Sequence, residues 1–144
     1  MIDMDFSIEP WIGLGGFKLY THISQFVDVL VDEKSKPKLL GRFLLRYEIE
    51  HKFILWFNVI NGKLFKVTAC DGYTGVLDSG IRIGMNIEEA LKLDDELVFD
   101  EFEEVYESAK GVYLETDPLT NQIKWISVFI KEINSESFEN GAWW

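Results

Sequence analysis

Few residues in this sequence have the types and spacing that catalysis or metal binding requires. The glycine-rich stretch 13–16 lacks the third glycine of a dinucleotide-binding fingerprint, since Lys18 stands there, and it lacks the Gly-Lys-Ser/Thr of a phosphate-binding loop. His22 and His51 have no second metal ligand and no Ser or Cys partner at a recognisable spacing. Cys70 follows an apolar run, as a small core residue does. We therefore predict no catalytic residue, no metal site and no cofactor.

Carboxylates are the chemical group that the sequence concentrates. Residues 94–107 hold eight acids among fourteen positions and no base. The eight acids are Asp94, Asp95, Glu96, Asp100, Glu101, Glu103, Glu104 and Glu107. The stretch is dense in oxygen ligands but lacks the Asp-x-Asp-x-Asp-Gly spacing of an EF-hand calcium loop. Because the chain has 25 acids, no two of them are singled out as a general acid and base.

Apolar side chains are interleaved with these acids, and Phe99, Phe102 and Tyr106 are the aromatic ones. Like charges at close spacing repel one another, and a protein that needs only solubility could spread them over its surface. Negative charge can steer a basic protein toward this stretch, and the rings can supply desolvated anchors. We therefore predict a docking surface for a basic protein. The alternative is a solvated face that keeps the protein soluble.

Length and charge limit the class of protein. A chain of 144 residues is the usual size of one domain, and 47% hydrophobic residues are enough to form a core. Residues 1–72 carry nine bases and nine acids, whereas residues 73–144 carry five bases and sixteen acids, so the whole net charge of −11 lies in the second half. Such a charge argues against a nucleic-acid partner. The acidic N-terminus and the lack of a long apolar run predict neither export nor membrane insertion, and one cysteine excludes an intrachain disulfide, so we expect a cytoplasmic protein.

The chain contains an internal similarity. Residues 16–30 align with residues 80–94 at a constant offset of 64 and without gaps. Residues 63–67 align less closely with residues 122–126. We therefore predict a single domain, 1–144, that contains two pseudo-repeats and a C-terminal tail. Their approximate bounds are 13–72, 80–130 and 131–144.

Each repeat contains the signals of one short helix followed by strands. Thr21 or His22 opens the first helix, and Asn86 is a plausible N-cap of the second. Aromatic and β-branched runs then predict strands, and Asn61-Gly62 is a strong hairpin signal. The predicted strand segments are 42–49, 52–60, 63–69, 101–108, 111–116 and 121–130, with short strands at 16–19 and 80–83 ahead of the helices.

These elements predict an α+β fold, in which two helix-plus-antiparallel-meander repeats form a sheet with the short helices packed on one face. The other face is then free to meet a partner. Residues 101–108 also have partly helical spacing, so a helix stays open there. The tail ends in Trp143-Trp144, whose indoles either pack against the core or serve as an interface anchor.

One motif resembles a known family. Gly84-Met85-Asn86 followed by Glu88-Glu89-Ala90-Leu91 resembles the Gly-Met-Ser/Thr-x-x-Glu/Gln helix start of repeats in outer-membrane assembly lipoproteins of the SmpA type and in β-lactamase-inhibitor-like proteins. The first repeat departs from it, with Tyr20-Thr21-His22 at that position. The lipoprotein branch implies an export signal and a lipidated cysteine, which this sequence lacks. The inhibitor branch implies a sheet of two repeats that clamps an enzyme.

The chain is also similar in size, acidity and lack of catalytic motifs to bacterial immunity proteins of the contact-dependent inhibition type. That resemblance implies an inhibitor that neutralises a basic toxin of the nuclease class, with the acids of 94–107 standing in for nucleic-acid phosphates. The alternative is a small-ligand-binding module or scaffold subunit that uses the open face of the sheet. We predict no enzymatic activity in either case.

Overall fold

The computed structural model describes residues 4–31, 35–141 and 144, and its main element is one large antiparallel sheet. A separate pair of short strands comprises β1 (Gly13–Leu14) and β2 (Phe17–Lys18). The eight strands of the large sheet are β3 (Ser35–Leu40), β4 (Leu44–Ile49), β5 (Phe53–Asn58), β6 (Leu64–Ala69), β7 (Leu97–Asp100), β8 (Val105–Ser108), β9 (Val112–Thr116) and β10 (Ile123–Phe129). The helical elements are a 3-10 turn at Ile23–Phe26, α1 (Val27–Leu30), α2 (Ile87–Leu93) and a 3-10 turn at Lys131–Asn134.

The order of the strands in the sheet is β3-β4-β5-β6-β10-β9-β8-β7, and all neighbours are antiparallel. Strands that follow one another in the chain are therefore neighbours, except that β6 pairs with β10 and not with β7. That pair joins the two halves of the chain. It leaves β3 and β7 as the two edges of the sheet.

Six predicted strands are confirmed, namely those that contain β2, β4, β5, β6, β9 and β10. The Asn61-Gly62 hairpin connects β5 to β6, and Gly62 has the positive φ of 73° that such a turn requires. Segment 101–108 is a strand only from Val105 onward, and residues 101–104 form a turn. The short strand predicted at 80–83 is absent, since residues 80–83 contain no strand.

The predicted α+β fold, with two helix-plus-meander repeats and helices packed on one face, is wrong. The protein is mostly β, and α1 and α2 have only four and seven residues. Their apolar stripes are too short to cover a sheet, because Val27, Leu91 and Leu93 stay exposed. Neither helix is long enough to cross a membrane, and the described part of the chain contains no other α-helix.

The short strands β1 and β2, the helical turns and irregular segments together cover the buried face of the sheet, which we call the inner face. Phe53, Leu55 and Phe57 project from β5 into this core because residues two apart share one face of a strand. Phe17 packs against Phe53 with 5.1 Å between ring centroids, and Tyr73 packs against the same ring at 5.7 Å. Further buried residues from the covering layer are Ile8, Leu14, Leu19, Phe26, Leu77, Ile81, Ile87 and Ala90.

The predicted N-cap of α2 is confirmed, since Asn86 Oδ1 accepts a hydrogen bond from the Glu88 amide at 2.9 Å. Replacing Asn86 with alanine leaves that amide without its partner, so we expect the free energy of unfolding to fall by about 1 kcal/mol. Urea denaturation followed by tryptophan fluorescence measures the change. The exposed Asn140→Ala is the control, and a wild-type midpoint for Asn86→Ala would show that the cap contributes nothing.

The opposite face of the sheet, which we call the outer face, is covered only at one end. The Phe138 ring of the C-terminal segment packs edge-to-face against Phe65, with 4.8 Å between ring centroids, and stacks on Trp144 at 5.4 Å. Asn58, which is fully buried, donates from Nδ2 to the Phe138 carbonyl at 2.9 Å. Trp144 is therefore packed against the protein, whereas Trp143 lies outside the described residues. Among the residues that the structure describes, no segment lies over the part of the outer face that includes Arg46 and Trp56.

Candidate binding surfaces

The acidic stretch forms a hairpin at one edge of the sheet. β7 and β8 are its two strands, and residues 101–104 are its turn. We call residues 94–107 the acidic hairpin. In the part of the chain that the structure describes, β7 pairs only with β8, so its other edge has no partner strand. The hairpin is therefore an edge that a partner can approach.

Asp94 differs from the other predicted acids because it is buried, with 6% of its surface exposed. Its carboxylate accepts hydrogen bonds from the Ser108 hydroxyl at 2.8 Å and the Glu96 amide at 2.9 Å, and Lys110 Nζ lies 3.3 Å away. Burial by itself raises the pKa of Asp94, but these hydrogen bonds and the Lys110 charge together lower it. Asp94 thus connects the start of β7 to the end of β8 and has a structural role.

Five of the predicted acids point into solvent, and they are Asp95, Glu96, Glu101, Glu103 and Glu104. Glu96 lies 3.7 Å from Lys110. The other four form no ion pair with any base that the structure describes. Their negative charge is therefore not neutralised within the described protein.

Asp100 organises the tip of the hairpin. Its Oδ1 accepts hydrogen bonds from the backbone amides of Phe102 at 2.9 Å and Glu103 at 3.1 Å. Glu104 takes a left-handed backbone conformation, with a φ of 57°, which turns the chain into β8. The Phe102 side chain is left 92% exposed between carboxylates. The turn therefore presents one large aromatic ring to solvent.

The predicted aromatic residues do not form one patch. Phe99 and Tyr106 are cross-strand neighbours 4.9 Å apart, and their register places them on the inner face. Phe102 lies at the tip. Asp100 and Glu107 share the outer face, where burial and then the Asp100 charge raise the pKa of Glu107. The predicted site is therefore divided between a tip and two faces.

The outer face holds a groove that the sequence analysis did not identify. It comprises two cavities of about 330 and 580 Å³, which share Trp56, Lys66 and Glu115 as lining residues. We call it the outer-face groove. The cationic end includes Lys38, Arg46 and Lys66, and the acidic end includes Asp100, Glu103, Glu107 and Glu115.

Strand register builds the floor of this groove. Arg46 lies opposite Trp56, and Trp56 lies opposite Lys66, across three consecutive strands. The Arg46 guanidinium is 5.5 Å from the Trp56 ring centroid, and Lys66 Nζ is 5.0 Å from it and 5.3 Å from that of Tyr113. Burial lowers the pKa of Lys66, and the Arg46 charge adds to this effect against the opposing influence of Glu115 and Glu103. The Asn61-Gly62 signal indicated that β5 and β6 pair, but residues 59–63 form the connection and a bulge at Trp56/Phe57 shifts the register, so the sequence did not reveal the pairing of Trp56 with Lys66.

No cluster of three or more potential metal ligands occurs among the residues that the structure describes. Burial raises the pKa of the Cys70 thiol to about 11, which keeps it protonated at neutral pH. His22 caps the first 3-10 turn, where its Nδ1 accepts from the Ser24 amide at 3.2 Å. His51 lies 3.0 Å from Glu48 on an exposed turn. None of these groups is arranged for a reaction.

The fold and these surfaces define a small antiparallel β-sheet protein with an acidic edge hairpin and an open groove. No protein family and no curated protein matches the chain. Its structure is similar to the crystal structure of a cysteine-rich secretory protein from Staphylococcus aureus, with a TM-score of 0.52 and 11% sequence identity. The similarity covers 88% of this chain and 48% of that one, so this chain spans about half of that protein's length. At this identity the similarity shows the fold alone, and the resemblance of residues 84–91 to assembly lipoproteins and β-lactamase-inhibitor-like proteins stays a prediction.

Proposed function

We propose that this protein is a non-catalytic inhibitor of the immunity type, which binds a basic toxin of the nuclease class through the acidic hairpin. The observation that supports this function best is the tip of the hairpin. Phe102 is 92% exposed there, beside the exposed carboxylates of Glu101, Glu103 and Glu104. An exposed aromatic ring loses favourable burial energy, so its position favours a partner that covers it.

The charge and the ring have different roles in this proposal. The carboxylates attract a basic partner over a distance and orient it before contact. Phe102 then fills a pocket on that partner and becomes desolvated, as interface hot spots do. A nuclease recognises phosphates with Lys and Arg, so a row of carboxylates can occupy the same groove as its substrate. Under this proposal the protein acts in the cytoplasm of the cell that it protects.

The test uses a basic protein that tagged wild-type protein captures from the producing bacterium and that is then purified. We expect Phe102→Ala to weaken its binding at least about 10-fold by surface plasmon resonance, because the anchor is lost. Leu119→Ala is the matched control, since Leu119 is 93% exposed in a turn outside the hairpin. We expect the control to bind as wild type does.

The second part of the test asks whether binding inhibits. The captured protein is assayed for cleavage of DNA and RNA with and without an excess of wild-type protein, and we expect cleavage to stop in its presence. A captured protein that has no nuclease activity, or whose activity the wild-type protein leaves unchanged, would disprove the inhibitor function. Equal affinities of Phe102→Ala and wild type would disprove the role of the hairpin tip.

A further inference from the structure

The cationic end of the outer-face groove is unusual for this protein. The chain has 25 acids and 14 bases, yet the side chains of Arg46 and Lys66 form no ion pair or hydrogen bond with any residue that the structure describes. Both cations instead lie over the same Trp56 ring. Arg46 and Lys66 flank this ring from the two strands on either side of β5, so their like charges repel each other, and partial burial raises the energetic cost. A bound anion would relieve both effects.

Further hydrogen-bond donors line the same end of the groove. Thr68 and Ser127 are buried, and their hydroxyls are 2.7 Å apart. Thr68 lines the cavity, and its hydroxyl keeps its proton for a ligand when the Ser127 hydroxyl is the donor of this pair. The Trp56 indole Nε1 is buried and has no hydrogen-bond partner in the described part of the protein. These groups offer donors, and the one carboxylate in this cavity, Glu115, forms no ion pair with either cation.

Apolar side chains form part of the wall of this cavity. The Trp56 and Trp125 indoles line it together with Leu40 and Ile54. Its volume of about 330 Å³ is that of a site for a small molecule. An arginine guanidinium binds two oxygens of one carboxylate or phosphate at once, which orients the ligand. The two indole rings favour a ligand whose remaining part is planar and apolar.

We propose that the cationic end of the outer-face groove binds a small aromatic oxyanion, whose carboxylate or phosphate contacts Arg46 and Lys66 and whose ring lies against Trp56 and Trp125. This site is separate from the tip of the acidic hairpin. The proposal therefore goes beyond the inhibitor function and does not depend on it.

The test uses 2-naphthoate and 2-naphthyl phosphate as anionic probes and 2-naphthamide as their uncharged counterpart, in isothermal titration calorimetry. We expect at least one anion to bind and the amide to bind at least 10-fold more weakly, and the tighter anion identifies the preferred oxyanion. Lys66→Met and Arg46→Gln each lower the affinity for that anion at least 10-fold. Lys92→Met, which removes an exposed lysine from α2, leaves it unchanged.

Thermal unfolding separates a ligand site from a structural role of Lys66. If the role of Lys66 is to bind a ligand, its partly buried charge destabilises the ligand-free protein. We therefore expect ligand-free Lys66→Met to have a melting temperature equal to or above that of wild type. The bound anion raises the wild-type melting temperature but not that of Lys66→Met. A lower melting temperature for Lys66→Met together with unchanged anion affinity would overturn the proposal, as would no binding of either anion at about 1 mM. Partner capture through Phe102 is unaffected by Lys66→Met, so either proposal can fail alone.

Discussion

Replacing Asp94 with alanine lowers the free energy of unfolding by about 2 to 3 kcal/mol at pH 7. The Ser108 hydroxyl is buried and donates to the Asp94 carboxylate at 2.8 Å, and the Glu96 amide donates to the same carboxylate at 2.9 Å. The substitution leaves both donors without a partner in a region closed to water. Because these bonds join the two strands of the acidic hairpin, the loss is largest at that edge of the sheet.

Two variants isolate this effect. Asp94→Asn keeps an acceptor for the Glu96 amide and a polar group beside Ser108, so it loses less stability than Asp94→Ala. Asp95→Ala removes an adjacent but exposed carboxylate and changes the stability by less than about 0.5 kcal/mol. Urea denaturation measures all three. Equal losses for Asp94→Ala and Asp95→Ala would contradict the structural role of Asp94.

The contribution of Asp94 to the free energy of unfolding also depends on pH, and the pKa of Asp94 determines whether it rises or falls on acidification. Folding lowers the pKa of this carboxyl, so its charged form stabilises the folded protein at pH values above the unfolded pKa of about 4. That stabilisation is lost as the pH falls through the lower pKa of the folded state. The stability difference between wild type and Asp94→Ala is therefore largest near neutral pH and decreases below about pH 4. A difference that grew on acidification would show that the folded pKa is raised.

Reversing the charge of Glu101, Glu103 and Glu104 to lysine slows association with the basic partner about 100-fold at low salt. All three carboxylates are exposed at the turn and have no ion pair in the described protein, so their replacement leaves the fold intact. Most of the loss is in the association rate because exposed charges act before contact. Stopped-flow or surface plasmon resonance measurements at several salt concentrations give both rates.

The matched control replaces Asp28, Asp71 and Asp78 with lysine. These three residues are exposed and lie outside the acidic hairpin. It changes the net charge of the protein by the same amount, so it separates local from overall charge. We expect the control to keep most of the wild-type association rate and the hairpin variant to lose its dependence on salt. If both variants slowed association equally, net charge alone would account for binding and the hairpin would have no special role.

The strands with clear local signals were predictable. Runs such as Phe53–Asn58 combine aromatic and β-branched residues, and Asn61-Gly62 supplies the turn to the next strand. The cap at Asn86 was predictable for the same reason, since it needs only the residues that follow it. Each of these features depends on interactions between residues close together in the chain.

The edge strands were missed because their sequences resemble other elements. β3 contains Pro37 and two lysines, which are typical of the end of a helix, yet proline is acceptable on an edge strand, where no neighbouring strand needs its amide. β7 was hidden within the acidic stretch, since Leu97–Asp100 holds too few residues for a clear alternation. The predicted helices were overestimated because a short apolar stripe was assumed to cover a sheet.

The sequence by itself determined the local strands and turns, the helix cap and the concentration of acids at 94–107, because these depend on neighbouring residues and on composition. Only the tertiary structure decided that β6 pairs with β10, that Asp94 is buried while Phe102 is exposed, and that Arg46, Trp56 and Lys66 share one groove. These features depend on contacts between residues far apart in the chain, and the free energy of packing the whole core selects among them.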